Sequence, residues 1–245
     1  MKKSEFVQKF FPCCKDGEVS QGKGLLYCES NSAGQADILM LHGGGVVSGL
    51  HNYNWLRTDL LNFGITSCSF DFAGHGRSCG ALIDSSLAQR TEEAYEVAAS
   101  KRLRYPMTVV GASMGAYIAL KLTEHCAVNA LILFVPAVYS KHAYEARFGD
   151  EFTRIIRQPL SWMDSDAWEI IGRYTGSLVI ITAEKDDIVP QEIPIRLFDS
   201  ANNARERFLY TVPKSPHKIL SYLQDAPNDR ILVADLVRKC HEHDL

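Results

Sequence analysis

No stretch of the 245-residue chain approaches the roughly 20 consecutive apolar residues that a membrane-spanning helix needs. A secretory leader is poorly matched as well, because Ser4, Glu5, Gln8 and Lys9 break up any apolar run between Met1-Lys2-Lys3 and Phe10-Phe11-Pro12. The chain has little net charge. Its 26 Lys and Arg face 29 Asp and Glu, giving a formal charge of -3 with no long basic tract, and this argues against nucleic acid as a partner. The seven cysteines are odd in number and include no C-x-x-C pair. Cys13-Cys14, the distant Cys28 and the closing Cys240-His241-Glu242-His243 do not space like zinc ligands or like a small secreted disulfide scaffold. The reading is a cytoplasmic protein that needs no metal or organic cofactor. Internal repeats and low-complexity linkers are missing too, and with 46% hydrophobic residues the chain can bury one large core, so a single domain spanning 1–245 is expected.

What is present alternates. Residues 21–29 read as part of an entry hairpin, and residues 36–41, apolar but for Asp37, form a strand that stops at His42-Gly43-Gly44-Gly45, where backbone freedom is expected. A helix over 54–61, a strand over 65–70 and a glycine-rich loop over 71–78 follow. Ser86 and Gln89 suit a capping box for a helix running to about Lys101, with Pro106 closing that element. Strands are predicted at 107–110, 130–135, 177–182 and 207–212, and helices at 116–122, from Pro190, at 219–223 and at 231–237. This order predicts an α/β fold with a mostly parallel central sheet and helices on both faces. Residues 137–176 interrupt it with aromatic and charged side chains, among them Trp162 and Trp168, too many residues for a tight crossover.

A serine hydroxyl is a weak nucleophile in water, so hydrolysis through serine needs a base within hydrogen-bond reach and a third group to orient that base. Ser113 sits in Gly111-Ala112-Ser113-Met114-Gly115 at a predicted strand-to-helix junction, where flanking glycines permit a sharp turn that aims the side chain into a cleft. The competing readings are a plain helix-terminal serine or a phosphate loop, but the segment lacks a Walker lysine and has the wrong spacing for a dinucleotide fingerprint. His217 is favoured as base over His42, His51, His75, His125 and His142 because it follows the last predicted strand, from which a loop can return it to the nucleophile. A neutral imidazole there can accept the serine proton and hand it to the leaving group. His42, His75 and Arg77 read as structural, and Cys79 has no comparable elbow around it.

Together, Leu41-His42-Gly43-Gly44-Gly45, Asp71-Phe72-Ala73-Gly74-His75-Gly76-Arg77-Ser78, the Ser113 pentapeptide, Asp186-Asp187-Ile188-Val189-Pro190 and the late His217 resemble the α/β-hydrolase superfamily. Within it they resemble the small-cap branch of serine aminopeptidase-like, monoacylglycerol-lipase-like and carboxylesterase-like proteins. The resemblance spans nearly the whole chain and implies an α/β-hydrolase fold with a small cap insertion at 137–176. It also implies Asp186 as the acid that orients His217, since two variable residues and Val-Pro follow it; Asp187 and Glu184 are weaker candidates. The same resemblance implies an oxyanion hole built from the backbone N–H groups of Met114 and Gly44, with Gly45 as alternative to the latter. Two departures, Ala183 and Ser215-Pro216 where glycines are usual, leave substrate preference open. The expected function is cleavage of a small ester or thioester through a Ser113 acyl-enzyme. Amide or aminoacyl hydrolysis, acyl transfer and non-catalytic ligand binding are the alternatives. A small acyl molecule is the expected partner, and association into a homo-oligomer is left open. Trp162 and Trp168 suit either substrate selection or packing of the cap onto the sheet.

Overall fold

The computed structural model describes residues 7–12, 25–100, 103–243 and 245. Among the described residues eight strands form one sheet: β1 (Val7–Pro12), β2 (Leu25–Ser30), β3 (Ala36–Leu41), β4 (Ser67–Phe70), β5 (Leu103–Ala112), β6 (Val128–Phe134), β7 (Ser177–Lys185) and β8 (Glu206–Pro216). Their spatial order is β1-β2-β4-β3-β5-β6-β7-β8. The β1–β2 and β2–β4 pairs are antiparallel, whereas every pair from β4 to β8 is parallel. The entry hairpin is therefore present over residues 25–29, while residues 21–24, like Cys13 and Cys14, lie outside the described residues.

The apolar runs within these strands have a direct cause, because helices cover both faces of the sheet and side chains of either parity are buried. Leu39 and Leu41 of β3, Leu131 and Leu133 of β6, and Leu178 and Ile180 of β7 face one core. The helices α2 (Leu87–Ala99), α3 (Met114–Leu122) and α5 (Ala167–Arg173) cover that face, and α6 (Glu192–Ser200) adds Ile193 and Leu197 to the same core. The alternate residues Ile38, Met40, Ile132, Val179 and Ile181 face a second core, closed by α1 (Asn54–Asn62), α7 (Ile219–Gln224) and α8 (Pro227–Glu242). Among the described residues no helix is long and apolar enough to cross a membrane.

Pro106 departs from expectation. It does not close a helix; α2 ends at Ala99, and Pro106 lies within β5. The register explains how the sheet accepts it: Leu103 pairs with Ala36 but Thr108 pairs with Ile38, so Pro106 sits in a bulge where no ladder hydrogen bond is required of it.

Between β6 and β7 the chain forms short elements, with α4 (Asp150–Ile156) and α5 as its helices. Phe148 and Phe152 are buried and continuous with the core under α3, and Tyr139 meets Tyr117 of α3 edge-on at 5.4 Å between ring centres. Trp162 and Trp168 meet at 6.0 Å, and the Arg196 guanidinium of α6 stacks 4.2 Å above Trp168. Both tryptophans are half-buried and pack on this core.

Candidate active site

The carboxyl ends of β3, β5, β7 and β8 converge on one edge of the sheet, where the loops carry the polar residues singled out above. Ser113 occupies the turn between β5 and α3 with φ 51° and ψ -115°, a strained conformation for a residue with a side chain. The surrounding backbone compels it. Ser113 N–H donates to Phe134 O at 2.9 Å, and a Cβ on Gly111 would lie 2.3 Å from Gly115 O. A Cβ on Gly115 would lie 2.2 Å from Leu41 O, so both glycines are required by backbone-to-backbone approach. Gly115→Ala is therefore expected to lower stability by about 1–3 kcal/mol, the usual cost of overpacking, read as a lower urea midpoint at unchanged m. A wild-type midpoint would show that α3 does not need to pack this closely on β3.

His217 begins the turn after β8, a strand that runs on to Pro216, and it reaches back across the sheet edge. Its Nε2 lies 3.1 Å from Ser113 Oγ, and its Nδ1 lies 2.9 Å from both carboxylate oxygens of Asp186. Asp186 is the first residue beyond β7. Its Oδ1 also accepts the N–H groups of Ile188 and Val189, each at 2.9 Å. Burial works against the charged form of Asp186, but the hydrogen bonds from His217, Val189 and Ile188 outweigh it and hold the carboxyl below its usual range. The three residues thus form a linked series of carboxylate, imidazole and hydroxyl. Asp187 and Glu184 are exposed and take no part in it; Glu184 instead accepts the Lys214 N–H at 2.6 Å.

The glycine loop works differently from expectation. None of Gly43, Gly44 and Gly45 has positive φ, so conformational freedom is not what the run supplies. Gly44 supplies space: a Cβ there would lie 2.7 Å from Met114 Cε and 2.9 Å from its Sδ. The structure thus brings Gly44 against Met114, the first residue of α3, whose N–H has no acceptor within the helix. His42 is fully buried, its Nδ1 2.7 Å from Gly43 O and its Nε2 accepting Phe72 N–H at 3.1 Å. Burial and the neighbouring Arg90 charge push its pKa well down, which keeps it neutral. His75 is also buried and lowered, by burial first and then by Arg90, against the opposing pull of the Ala73, Gly45 and Gly44 carbonyls. Arg77 stacks 3.9 Å over Tyr27, and its N–H donates to Asp71 at 3.0 Å, so it ties the 71–78 loop to β2. Cys79 is exposed, and its carbonyl accepts the Gly74 N–H at 3.1 Å within the same loop.

Arg90 is the residue that sequence reasoning passes over. It lies on the buried face of α2 with Leu87, Ala94 and Val97, and this helical spacing is the signal that marks it. Burial brings its guanidinium down to about 10, so it remains a cation at neutral pH, flanked by the rings of Phe72 at 4.9 Å and Phe148 at 4.8 Å. Among the described residues no group of His, Cys, Asp or Glu side chains is arranged to hold a metal ion.

Residues 33–164, more than half of the chain, match the family described as serine aminopeptidase, S33. No curated protein matches it. Among solved structures it is similar to a bromoperoxidase from Bacillus anthracis, with a TM-score of 0.68 at 14% identity over 93% of this chain and 99% of that one. An esterase from Exiguobacterium antarcticum gives 0.68 at 19% identity, covering 89% of this chain and 97% of its own. A thioesterase domain from the curacin biosynthetic pathway gives 0.65 at 15% identity, covering 96% and 99%. At these identities the likeness is one of fold.

Proposed function

Because the chain belongs to the serine aminopeptidase S33 family and has the α/β-hydrolase fold, we propose that it is a serine hydrolase that cleaves a small ester or thioester through an acyl-enzyme on Ser113. The observation that carries this reading is the contact of His217 with Ser113 Oγ at 3.1 Å on one ring nitrogen and with Asp186 at 2.9 Å on the other. In the first step Ser113 Oγ bonds to the substrate carbonyl carbon while His217 Nε2 takes the hydroxyl proton. The carbonyl oxygen becomes an oxyanion, which the N–H groups of Met114 and Gly44 receive. Collapse expels the alcohol or thiol, protonated by His217, and water then repeats the sequence on the acyl-enzyme, releasing the acid and regenerating Ser113. Asp186 remains ionised throughout, holding the imidazole in the tautomer that leaves Nε2 free to accept.

The test is labelling with a fluorophosphonate, read by intact-protein mass and by the modified peptide, followed by a panel of p-nitrophenyl esters, acyl thioesters and aminoacyl amides. Stoichiometric modification of Ser113 with ester or thioester turnover supports the reading. Turnover confined to aminoacyl amides would move the substrate class to peptides, and no labelling would overturn the acyl-enzyme itself.

Residues 137–176 serve in this reading as the cap that selects the acyl group. Trp162→Leu and Trp168→Leu are expected to change the ranking of esters by chain length several-fold while leaving the fluorophosphonate rate near wild type. The stack of Arg196 on Trp168 ties this segment to the main body, so urea midpoints accompany the kinetics. An unchanged ranking in folded variants would place selection elsewhere.

A further inference from the structure

The acyl-transfer scheme leaves Arg90 without a role, although the cation is costly where it stands. Its side chain is fully buried and its Nε–H has no partner; the carboxylate that most favours its charge is the equally buried Glu93, one turn along α2. A charge in such surroundings opposes folding unless its contacts offset the lost hydration.

What the guanidinium touches is specific. Nη1 lies 3.3 Å from Met114 Sδ, and Nη2 lies 3.2 Å from His75 Nδ1. The Met114 thioether occupies the space that Gly44 leaves by having no side chain. The His75 ring, in turn, faces the carbonyls of Gly44 and Gly45. Arg90 therefore reaches both segments that carry the oxyanion donors, one through a thioether and the other through an imidazole.

We propose that Arg90 is a positioning residue of the acyl-transfer centre, clamping Met114 and the glycine loop so that their N–H groups converge on the substrate oxygen, with its positive charge standing behind the oxyanion as it forms. This rests on the acyl-enzyme reading of Ser113. Such an arrangement acts on charge that is larger in the transition state than in the bound ester, so its loss falls on kcat and not on KM. The dry surroundings strengthen the effect, since little solvent screens the guanidinium.

Arg90→Met and Arg90→Lys test the assignment on the best p-nitrophenyl ester of the panel. Removing a direct oxyanion donor costs about 10²–10³-fold, so an indirect support is expected to cost about 10–100-fold in kcat for Arg90→Met at nearly constant KM. Arg90→Met, which leaves the buried Glu93 without its neighbouring cation, should melt below the wild-type temperature, and Arg90→Lys, which keeps the charge without the forked contacts, should fall between Met and wild type in kcat. A phenylboronic acid, which forms a tetrahedral adduct on serine, should lose affinity in Arg90→Met by the same factor as kcat/KM, while the product carboxylate binds as before. Wild-type kcat in Arg90→Met, a loss confined to KM, or Lys no better than Met would each overturn the proposal. Should Arg90→Met not fold, Arg90→Lys decides alone: a several-fold lower kcat at constant KM supports the clamp, and wild-type kcat overturns it. Fluorophosphonate labelling separates this failure from that of the underlying reading. A wild type labelled on Ser113 with kinetically silent Arg90 variants removes only the role of Arg90, whereas an unlabelled wild type removes both.

Discussion

Ser113→Ala is expected to abolish covalent labelling and to cut kcat by about 10⁶-fold on any ester, with the folded structure intact. The size of the loss follows from what is removed: the attacking atom itself, so that the remaining groups can only assist water. Structural tolerance follows from the turn. The φ of 51° at this position already strains any residue with a Cβ, and Ala and Ser carry the same Cβ, so the substitution adds no backbone cost. The hydroxyl gives up its contact with His217, while the Ser113 N–H bond to Phe134 O, a backbone interaction, is untouched. The measurement is kcat/KM beside intact mass after fluorophosphonate and a urea midpoint. Full labelling in the folded Ala variant would mean that another nucleophile does the chemistry.

Much of this arrangement is legible in the sequence, and the exceptions share a cause. The strands β3, β6 and β7 are legible because both of their faces are buried, which leaves short unbroken apolar runs. Ser113 is legible because the two glycines around it are fixed by local geometry, each meeting backbone within the turn or the adjacent β3. His217 is legible because β8 delivers it to the same sheet edge as β5 and β7. Pro106, the glycine loop and Arg90 are not local in this sense. Whether a strand accepts Pro106 depends on a bulge against Ala36 and Ile38, set by the pairing of strands far apart in sequence. The Gly44 requirement is created by Met114, and the contacts of Arg90 come from Phe72, His75, Met114 and Phe148, which only the fold assembles.

Asp186→Asn is expected to lower kcat/KM by about 10⁴-fold, the scale of a wrong histidine tautomer in a Ser-His-Asp protease, while Asp187→Asn changes it little. The contrast follows from what each carboxylate does. Asp186 Oδ1 accepts the Ile188 and Val189 N–H groups, and an asparagine amide oxygen can keep both bonds, so the turn after β7 should survive the change. The amide nitrogen then takes the place of Oδ2, which faces His217 Nδ1 at 2.9 Å. An N–H donor in that place selects the tautomer with Nδ1 bare and the proton on Nε2. That proton points at Ser113 Oγ, 3.1 Å away, so the imidazole can no longer accept the hydroxyl proton. The imidazolium that forms during attack also loses the anion beside it. Asp187, by contrast, is exposed and makes no contact with the histidine, so neutralising it alters only a solvated charge at the edge of the site. Both variants should unfold at urea midpoints near wild type, which keeps the kinetic comparison clean. A severe loss confined to Asp187→Asn would transfer the orienting role to that residue, and small equal effects from both would remove the carboxylate from the mechanism and leave His217 acting without it.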